Sequence, residues 1–162
     1  MRNGKVLLVE DSADDAAFVR MAFKRSKISQ RLEVVTSGSE AIEYLEGAGR
    51  YADRNKYPLP SLLLLDLRMP VMDGFEVIRR LRGHGREGLR RLPIAVLTGS
   101  EYPPDRQRAY ELGANSFMVK PGGLDEFFAM IDAVMGEAWI SRQGLTGISH
   151  EIERAGQTFA RS

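Results

Sequence analysis

Apolar residues along this chain fall into two alternating patterns. Val6-Leu7-Leu8-Val9, Leu62-Leu63-Leu64-Leu65 and Ile94-Ala95-Val96-Leu97 are short unbroken runs, the mark of strands buried on both faces. Between them, apolar residues recur at helical spacing. The pattern predicts strands at 5–10, 32–36, 61–66, 93–97 and 115–119 and helices at 14–26, 37–46, 73–82, 104–112 and 124–135. The expected inward stripes are Ala17, Phe18, Met21 and Ala22 in the first helix and Ala41, Ile42 and Leu45 in the second. Phe75, Val77, Ile78 and Leu81 form the stripe of the third, and Phe127, Phe128, Ile131 and Val134 that of the last. Ser12 is positioned as an N-cap, with Asp14 and Asp15 in the first turn, where the helix dipole favours anions. Gly113 is a natural stop for the fourth helix. Residues 47–60 make a long connection, and residues 83–92 a basic loop punctuated by glycine. Strict alternation of strand and helix implies a doubly wound parallel sheet covered on both faces. Right-handed crossovers then bring every strand's carboxyl end to one edge.

That edge gathers unusual side chains. Glu10 and Asp11 close the first strand and Asp66 closes the third. Thr98 ends the fourth, and Lys120-Pro121 follows the fifth. A carboxylate directly after a buried strand is costly unless it works where open α/β sheets bind ligands, beyond the strands' carboxyl ends. Carboxylates ~4 Å apart repel by roughly 4 kcal/mol per pair at an effective dielectric near 20, and a hard divalent cation relieves that repulsion. Asp66 alone would read as an ordinary strand-end residue, and Lys120 alone as a solvated one. Carboxylates, a hydroxyl and a lysine, each after its own strand, read together as a divalent-cation and phosphoryl site.

Composition narrows the classes without choosing one. The 162 residues suit one domain plus a modest extension. A formal net charge of +1 gives no overall field that selects nucleic acid or membrane. The absence of cysteine removes disulfide and thiol chemistry and fits a cytoplasmic protein. No signal peptide is visible at the start, and the apolar runs are too short to span a bilayer. Arg79, Arg80, Arg82, Arg86, Arg90 and Arg91 form a basic stretch without interleaved aromatics. It is expected to be a solvated helix face and loop rather than a nucleic-acid surface.

Val9-Glu10-Asp11-Ser12, Asp66-Leu67-Arg68-Met69-Pro70 followed by Asp73-Gly74, Thr98-Gly99 and Lys120-Pro121 carry a resemblance. Across residues 4–136 the chain resembles the receiver domain of two-component response regulators. The resemblance implies a flavodoxin-like sheet of order 2-1-3-4-5 with five helices, a receiver domain over residues 1–138 and a C-terminal extension or arm over 139–162. It implies that Asp66 is the phosphoacceptor and that Glu10, Asp11, Asp66 and the backbone carbonyl of Arg68 hold Mg2+. Thr98 and Lys120 would contact the phosphoryl oxygens, and Phe117, three residues before the lysine, would be the aromatic switch. A cis Lys120–Pro121 bond is implied as well. The donor would be the phosphohistidine of a sensor histidine kinase, and the chain itself no enzyme beyond its own phosphotransfer and slow autodephosphorylation.

The long 47–60 connection, the strand Leu92-Pro93-Ile94-Ala95-Val96-Leu97-Thr98 and Trp139 resemble a subgroup, the stand-alone regulators paired with bacterial phytochromes. Output would pass through protein contacts, as a homodimer using the face of the fourth helix, fifth strand and fifth helix, and the C-terminal arm. In that arm Leu145, Ile148, Ile152, Ala155 and Phe159 are spaced as a coiled-coil seam. Two heptads are too few to stand alone, which leaves a dimer arm, self-docking or disorder as the readings. Arg68 departs from the small or amide side chain common two positions after the acceptor. Its alternatives are pairing with Glu10, reaching the phosphoryl group or pointing into solvent. An aspartate-nucleophile phosphatase needs a general acid at that position, which arginine cannot supply. A flavin module needs a phosphate-cradling loop where Glu10-Asp11 stand.

Overall fold

A computed structural model describes residues 4–26, 28 and 30–141. Five parallel strands form one sheet in the order β2-β1-β3-β4-β5. They are β1 (Lys5–Val9), β2 (Arg31–Val35), β3 (Leu62–Leu65), β4 (Ile94–Thr98) and β5 (Ser116–Val119). The helices are α1 (Ala13–Arg25), α2 (Gly38–Glu46), α3 (Gly74–Arg82), the single turn α4 (Glu87–Arg90), α5 (Pro103–Leu112) and α6 (Leu124–Ser141). The register aligns Val9 with Val35 and Leu65, Leu65 with Val96, and Thr98 with Val119. The strand ends therefore stop close to one line, which becomes the edge of the site.

Alternation along the strands divides the core in two. Val6, Leu8, Leu62, Leu64, Ala95 and Leu97 face Ala16, Val19 and Ala22 of α1 and Phe127, Phe128, Ile131 and Val134 of α6. Leu7, Val9, Leu63, Leu65, Ile94 and Val96 face Ala41, Tyr44 and Leu45 of α2, Phe75, Ile78 and Leu81 of α3 and Ala109 of α5. The expected fold class, strand order and layering are all present.

Local expectations fared unevenly. Ser12, Ser37 and Asp73 each cap a helix by accepting a backbone N–H three residues on. The stripe predicted for α1 is shifted. Ala16, Val19 and Ala22 are buried, while Phe18 and Met21 are 42% and 44% exposed. The small Ala16 and Ala22 let the helix lie close to the sheet, and Phe18 instead meets the ring of Phe127 at 6.3 Å. The 83–92 loop contains the extra turn α4, giving six helices among the described residues where five were expected.

The basic stretch is also more structural than a solvated face. Arg82 donates to the carbonyls of Gly113 (2.9 Å), Arg90 (2.9 Å) and Leu92 (2.8 Å) and to Asn115 Oδ1 (2.9 Å), tying the end of α3 to two later loops. Arg79 and Arg80 pair with Glu76 on their own helix. No peptide bond among the described residues is cis, Lys120–Pro121 included. The cis bond implied by the family resemblance is thus absent, in line with the modest trans preference of X–Pro bonds. The heptad positions of the tail lie outside the described residues.

The 47–60 connection has its own order. Gly47 closes α2 in the left-handed region at φ 70°, which glycine adopts without steric cost. A 3-10 turn follows at Gly49–Tyr51. Tyr44, Tyr51 and Tyr57 then cluster in tilted and edge-to-face contacts, with ring centroids 4.9 Å (Tyr44–Tyr51), 5.9 Å (Tyr44–Tyr57) and 5.0 Å (Tyr51–Tyr57) apart. Arg54 donates to the carbonyls of Tyr44 (2.7 Å), Leu45 (2.5 Å) and Tyr57 (3.0 Å). It thereby fills acceptors that the end of α2 leaves open and sets a cation at the helix's negative pole.

Candidate functional site

Ladder hydrogen bonds continue just past the strand ends and fix the site's backbone. Glu10 N–H donates to Val35 O at 3.1 Å, Asp66 N–H to Val9 O at 3.1 Å and Lys120 N–H to Thr98 O at 2.7 Å. The side chains expected at the edge therefore do converge. Glu10 and Asp66 are buried, at 2% and 6% exposure, and Asp11 is exposed. One carboxylate oxygen from each of Glu10, Asp11 and Asp66 lies within 4.8 Å of the others. Three ionised carboxylates at that spacing repel by about 3–4 kcal/mol per pair at an effective dielectric near 20. An all-oxygen, all-anionic donor set fits a hard divalent cation, which such sites bind alongside water and phosphate oxygens.

Lys120 is the counter-charge. Its Nζ donates to Glu10 Oε2 at 2.7 Å and to Asp15 Oδ2 at 2.7 Å, and lies 3.7 Å from Asp66 Oδ2. Burial opposes its charge, but the hydrogen bonds to Asp15 and Glu10, with the charges of Asp66 and Glu10, outweigh that and hold its pKa above the ordinary value. Burial pushes the Glu10 carboxyl up to about 7, aided by the charge of Asp66 and opposed by its bonds to Lys120 and to Ser12 N–H.

The β3–α3 loop places Asp66 and closes tightly behind it. Asp73 caps α3 through Glu76 N–H at 2.9 Å, and Gly74 N–H donates to Leu67 O at 3.0 Å. A methyl group at Gly74 would collide with Asp66 O and stand 2.8 Å from Leu67 Cα. The Asp73-Gly74 pair thus sets the helix start against the backbone of Asp66. Thr98 is fully buried at the end of β4, where its Oγ1 accepts from Ser100 N–H at 3.2 Å. Phe117 is buried in the core beneath α3 and α5, paired in register with Val96.

Arg68 does not pair with Glu10; its side chain is largely exposed, as one reading expected, but it is not free. Its N–H points to Asp66 Oδ1 at 3.4 Å, but its guanidinium leaves the acidic cluster and pairs with Asp105 in the first turn of α5. Asp105 is buried at 5% exposure and also accepts from Ser100 Oγ at 2.6 Å. Burial works against its charge, but the bonds from Ser100 and Arg68 and the charges of Arg68 and Arg108 hold its pKa below the ordinary value.

Two residues of this arrangement were missed from sequence. Asp15 was assigned only to the helix dipole, although its place one turn beyond Asp11 puts it beside the same edge. Asp105 offered no signal, because its burial depends on how the β4–α5 loop folds back.

Comparison with known proteins agrees with this geometry. The response regulator receiver domain model matches residues 6–132. A probable methanogenesis regulatory protein, FilR2 of Methanothrix harundinacea, is 36% identical over 138 residues, covering 83% of each chain. Response regulator Rcp1 of Synechocystis is 35% identical over 129 residues, covering 80% of this chain and 84% of that protein. The Mn(2+)-bound form of Rcp1 superposes with a TM-score of 0.71 at 34% identity, covering 81% and 91% of the two chains. The phosphorylated cyanobacterial phytochrome response regulator RcpA gives a TM-score of 0.75 at 31% identity, covering 86% and 96%.

Proposed function

The chain belongs to the response regulator receiver family of two-component signalling, and from that premise we propose that it takes a phosphoryl group onto Asp66 from a sensor histidine kinase in the cytoplasm. The observation that carries this reading is the placement of Asp66. It is a buried carboxylate 3.7 Å from the Lys120 ammonium and within 4.8 Å of two further carboxylates. In the proposed step an Asp66 carboxylate oxygen attacks phosphorus, and the P–N bond to the kinase imidazole breaks. The electron pair of that bond stays on the imidazole nitrogen, which takes a proton from solvent. Lys120 balances charge on the incoming phosphoryl oxygens, and the Thr98 hydroxyl donates to one of them.

Glu10, Asp11, Asp66 and the Arg68 carbonyl would hold Mg2+, which when bound neutralises charge on the transferring group. Shielding from Mg2+ would let Glu10 and Asp66 stay ionised side by side. Loss of Lys120 from Asp15 and Glu10 toward the new phosphoryl group, with Thr98 and Phe117 following, would change the surface of α5, β5 and α6. The output is then a protein contact, including a homodimer through that face, and not a catalysed reaction on another substrate.

A bacterial phytochrome as the kinase is supported by Rcp1 and RcpA, the latter described as a phytochrome response regulator. FilR2, which is similar to this chain to the same degree, is described instead as a probable methanogenesis regulatory protein.

Incubation with Mg2+ and acetyl phosphate tests the acceptor directly. The wild type should gain one phosphoryl group and Asp66→Asn none; equal labelling of the two would refute the assignment. Phosphotransfer from a purified bacteriophytochrome kinase, compared with an unrelated histidine kinase, tests the pairing. Equal rates from both would remove the phytochrome link and leave the acceptor reading standing.

A further inference from the structure

Arg68 in the β3–α3 loop and Asp105 in the first turn of α5 stand beside the edge, and their pairing has no part in the steps above. The inference drawn from it rests on the reading of Asp66 as the acceptor. We propose that Asp105 is a positioning residue: it holds the Arg68 guanidinium on the α5 side of the site, away from Asp66, and so governs how long the phosphoryl group survives.

Three features of the geometry support this. First, Arg68 is anchored at the reacting group, with its backbone N–H 3.4 Å from Asp66 Oδ1. The direction taken by its long side chain therefore decides whether a fixed cation stands over Asp66 or away from it. Second, Asp105 is a buried carboxylate, at 5% exposure. A buried charge requires partners, and here they are Ser100 Oγ at 2.6 Å and the Arg68 guanidinium. Third, the two partners of the pair differ in what release would cost. The Arg68 side chain is 60% exposed and gives up its partner cheaply. Asp105 keeps the Ser100 hydroxyl, the nearby charge of Arg108 and the dipole of α5, in whose first turn it lies. Release is therefore open to Arg68 without stranding Asp105.

A phosphoryl dianion on Asp66 competes for the same guanidinium, because its oxygens match the arginine fork. In hydrolysis, water attacks phosphorus opposite the Asp66 oxygen. The P–O bond to Asp66 breaks with its electron pair returning to the carboxylate, inorganic phosphate leaves, and the water proton passes to solvent. A guanidinium laid over the phosphoryl oxygens stands in the water's approach. Asp105 draws it back, and keeps the same approach clear for a phosphodonor in the resting protein. Ser100 joins this pair to the switch threonine, since its N–H donates to Thr98 Oγ1 at 3.2 Å while its hydroxyl holds Asp105.

The test is a double-mutant cycle read as acyl-phosphate half-life after labelling with acetyl phosphate and removal of the donor. Asp105→Asn, and independently Asp105→Ser, should lengthen the half-life by about three-fold, the scale of a partly exposed ion pair. Neither should change it in an Arg68→Ala background. A half-life that is unaltered or shortened, or that changes equally in both backgrounds, overturns the proposal while leaving Asp66 as acceptor. Failure of both neutral variants to fold would assign Asp105 to the fold and overturn it also. Absence of any label on the wild type would remove the acceptor reading and this one together.

Discussion

The 47–60 connection and the β3–α3 loop of residues 66–73 are both irregular segments built around an arginine, and they use it differently. Arg54 gives its donors to backbone carbonyls beside a cluster of three tyrosines in tilted and edge-to-face contact, and so closes the end of α2. Arg68 is mostly exposed and pairs with a carboxylate from another element. The first arrangement has a neutral, fixed acceptor set. The second sits next to Glu10, Asp11 and Asp66, where like charges are crowded and the best partner for a cation changes with occupancy. The contrast teaches that satisfied backbone acceptors mark a holding structure, and that crowded like charges mark a responsive one.

The sharpest way to break this contrast is to damage the fixed region and look for an effect on the other. Tyr51 is buried and its hydroxyl donates to Glu40 Oε1 at 2.6 Å. Tyr51→Ala should lower unfolding free energy by about 3–5 kcal/mol, the usual cost of truncating a buried aromatic. Denaturant titration reads that loss, and the folded fraction should still take up one phosphoryl group. A smaller effect is expected at the boundary between loop and helix. Gly74→Ala pushes a methyl group against the backbone of Asp66 and should cost about 1–3 kcal/mol. Unlike Tyr51→Ala, it should also slow labelling by acetyl phosphate, since it displaces Asp66 itself.

The smallest effect expected is on pH dependence, and it belongs to the responsive region alone. Glu10, with its pKa raised by burial to about 7, binds a proton more tightly in the folded chain than in the unfolded one. Its contribution to the stability of the metal-free protein is therefore full below its ordinary value of 4.5 and is lost as pH rises through about 7. The same proton competes with a divalent cation. Mg2+ affinity should weaken as pH falls below about 7 and level off above it, by up to about tenfold per unit for one displaced proton. Isothermal titration across that range checks both the direction and the plateau. An affinity flat from about pH 5 to about pH 8, a range that brackets the raised Glu10 value, would mean that Glu10 is no ligand.

How much of this was legible in the chain follows from where each interaction is decided. Glu10, Asp11, Asp66, Thr98 and Lys120 were visible because each directly follows a buried run, and a parallel sheet leaves only one edge for them. The Ser12 cap was equally local, whereas Ser37 and Asp73 were read as helix residues and proved to be caps just outside their helices. The α1 stripe was misread because Phe18 and Met21 outweigh two alanines in any hydrophobic pattern, whereas close packing on the sheet favours the alanines. The Arg68–Asp105 pair was not legible, and the Lys120–Asp15 pair only through Asp15's place one turn beyond Asp11. Their members are 37 and 105 residues apart and meet only because α5 and α1 begin beside the same strand ends as the loops that carry Arg68 and Lys120.

The central claim is that Asp66, and no other carboxylate in the cluster, carries the phosphoryl group. Acyl phosphates are reduced by borohydride to the alcohol, so an aspartyl phosphate is left as homoserine at the position that was labelled. After labelling with acetyl phosphate and Mg2+, reduction and peptide mass spectrometry should find homoserine at position 66 alone. Reduction at Glu10, Asp11 or Asp15, or none anywhere despite added donor and metal, would contradict the account.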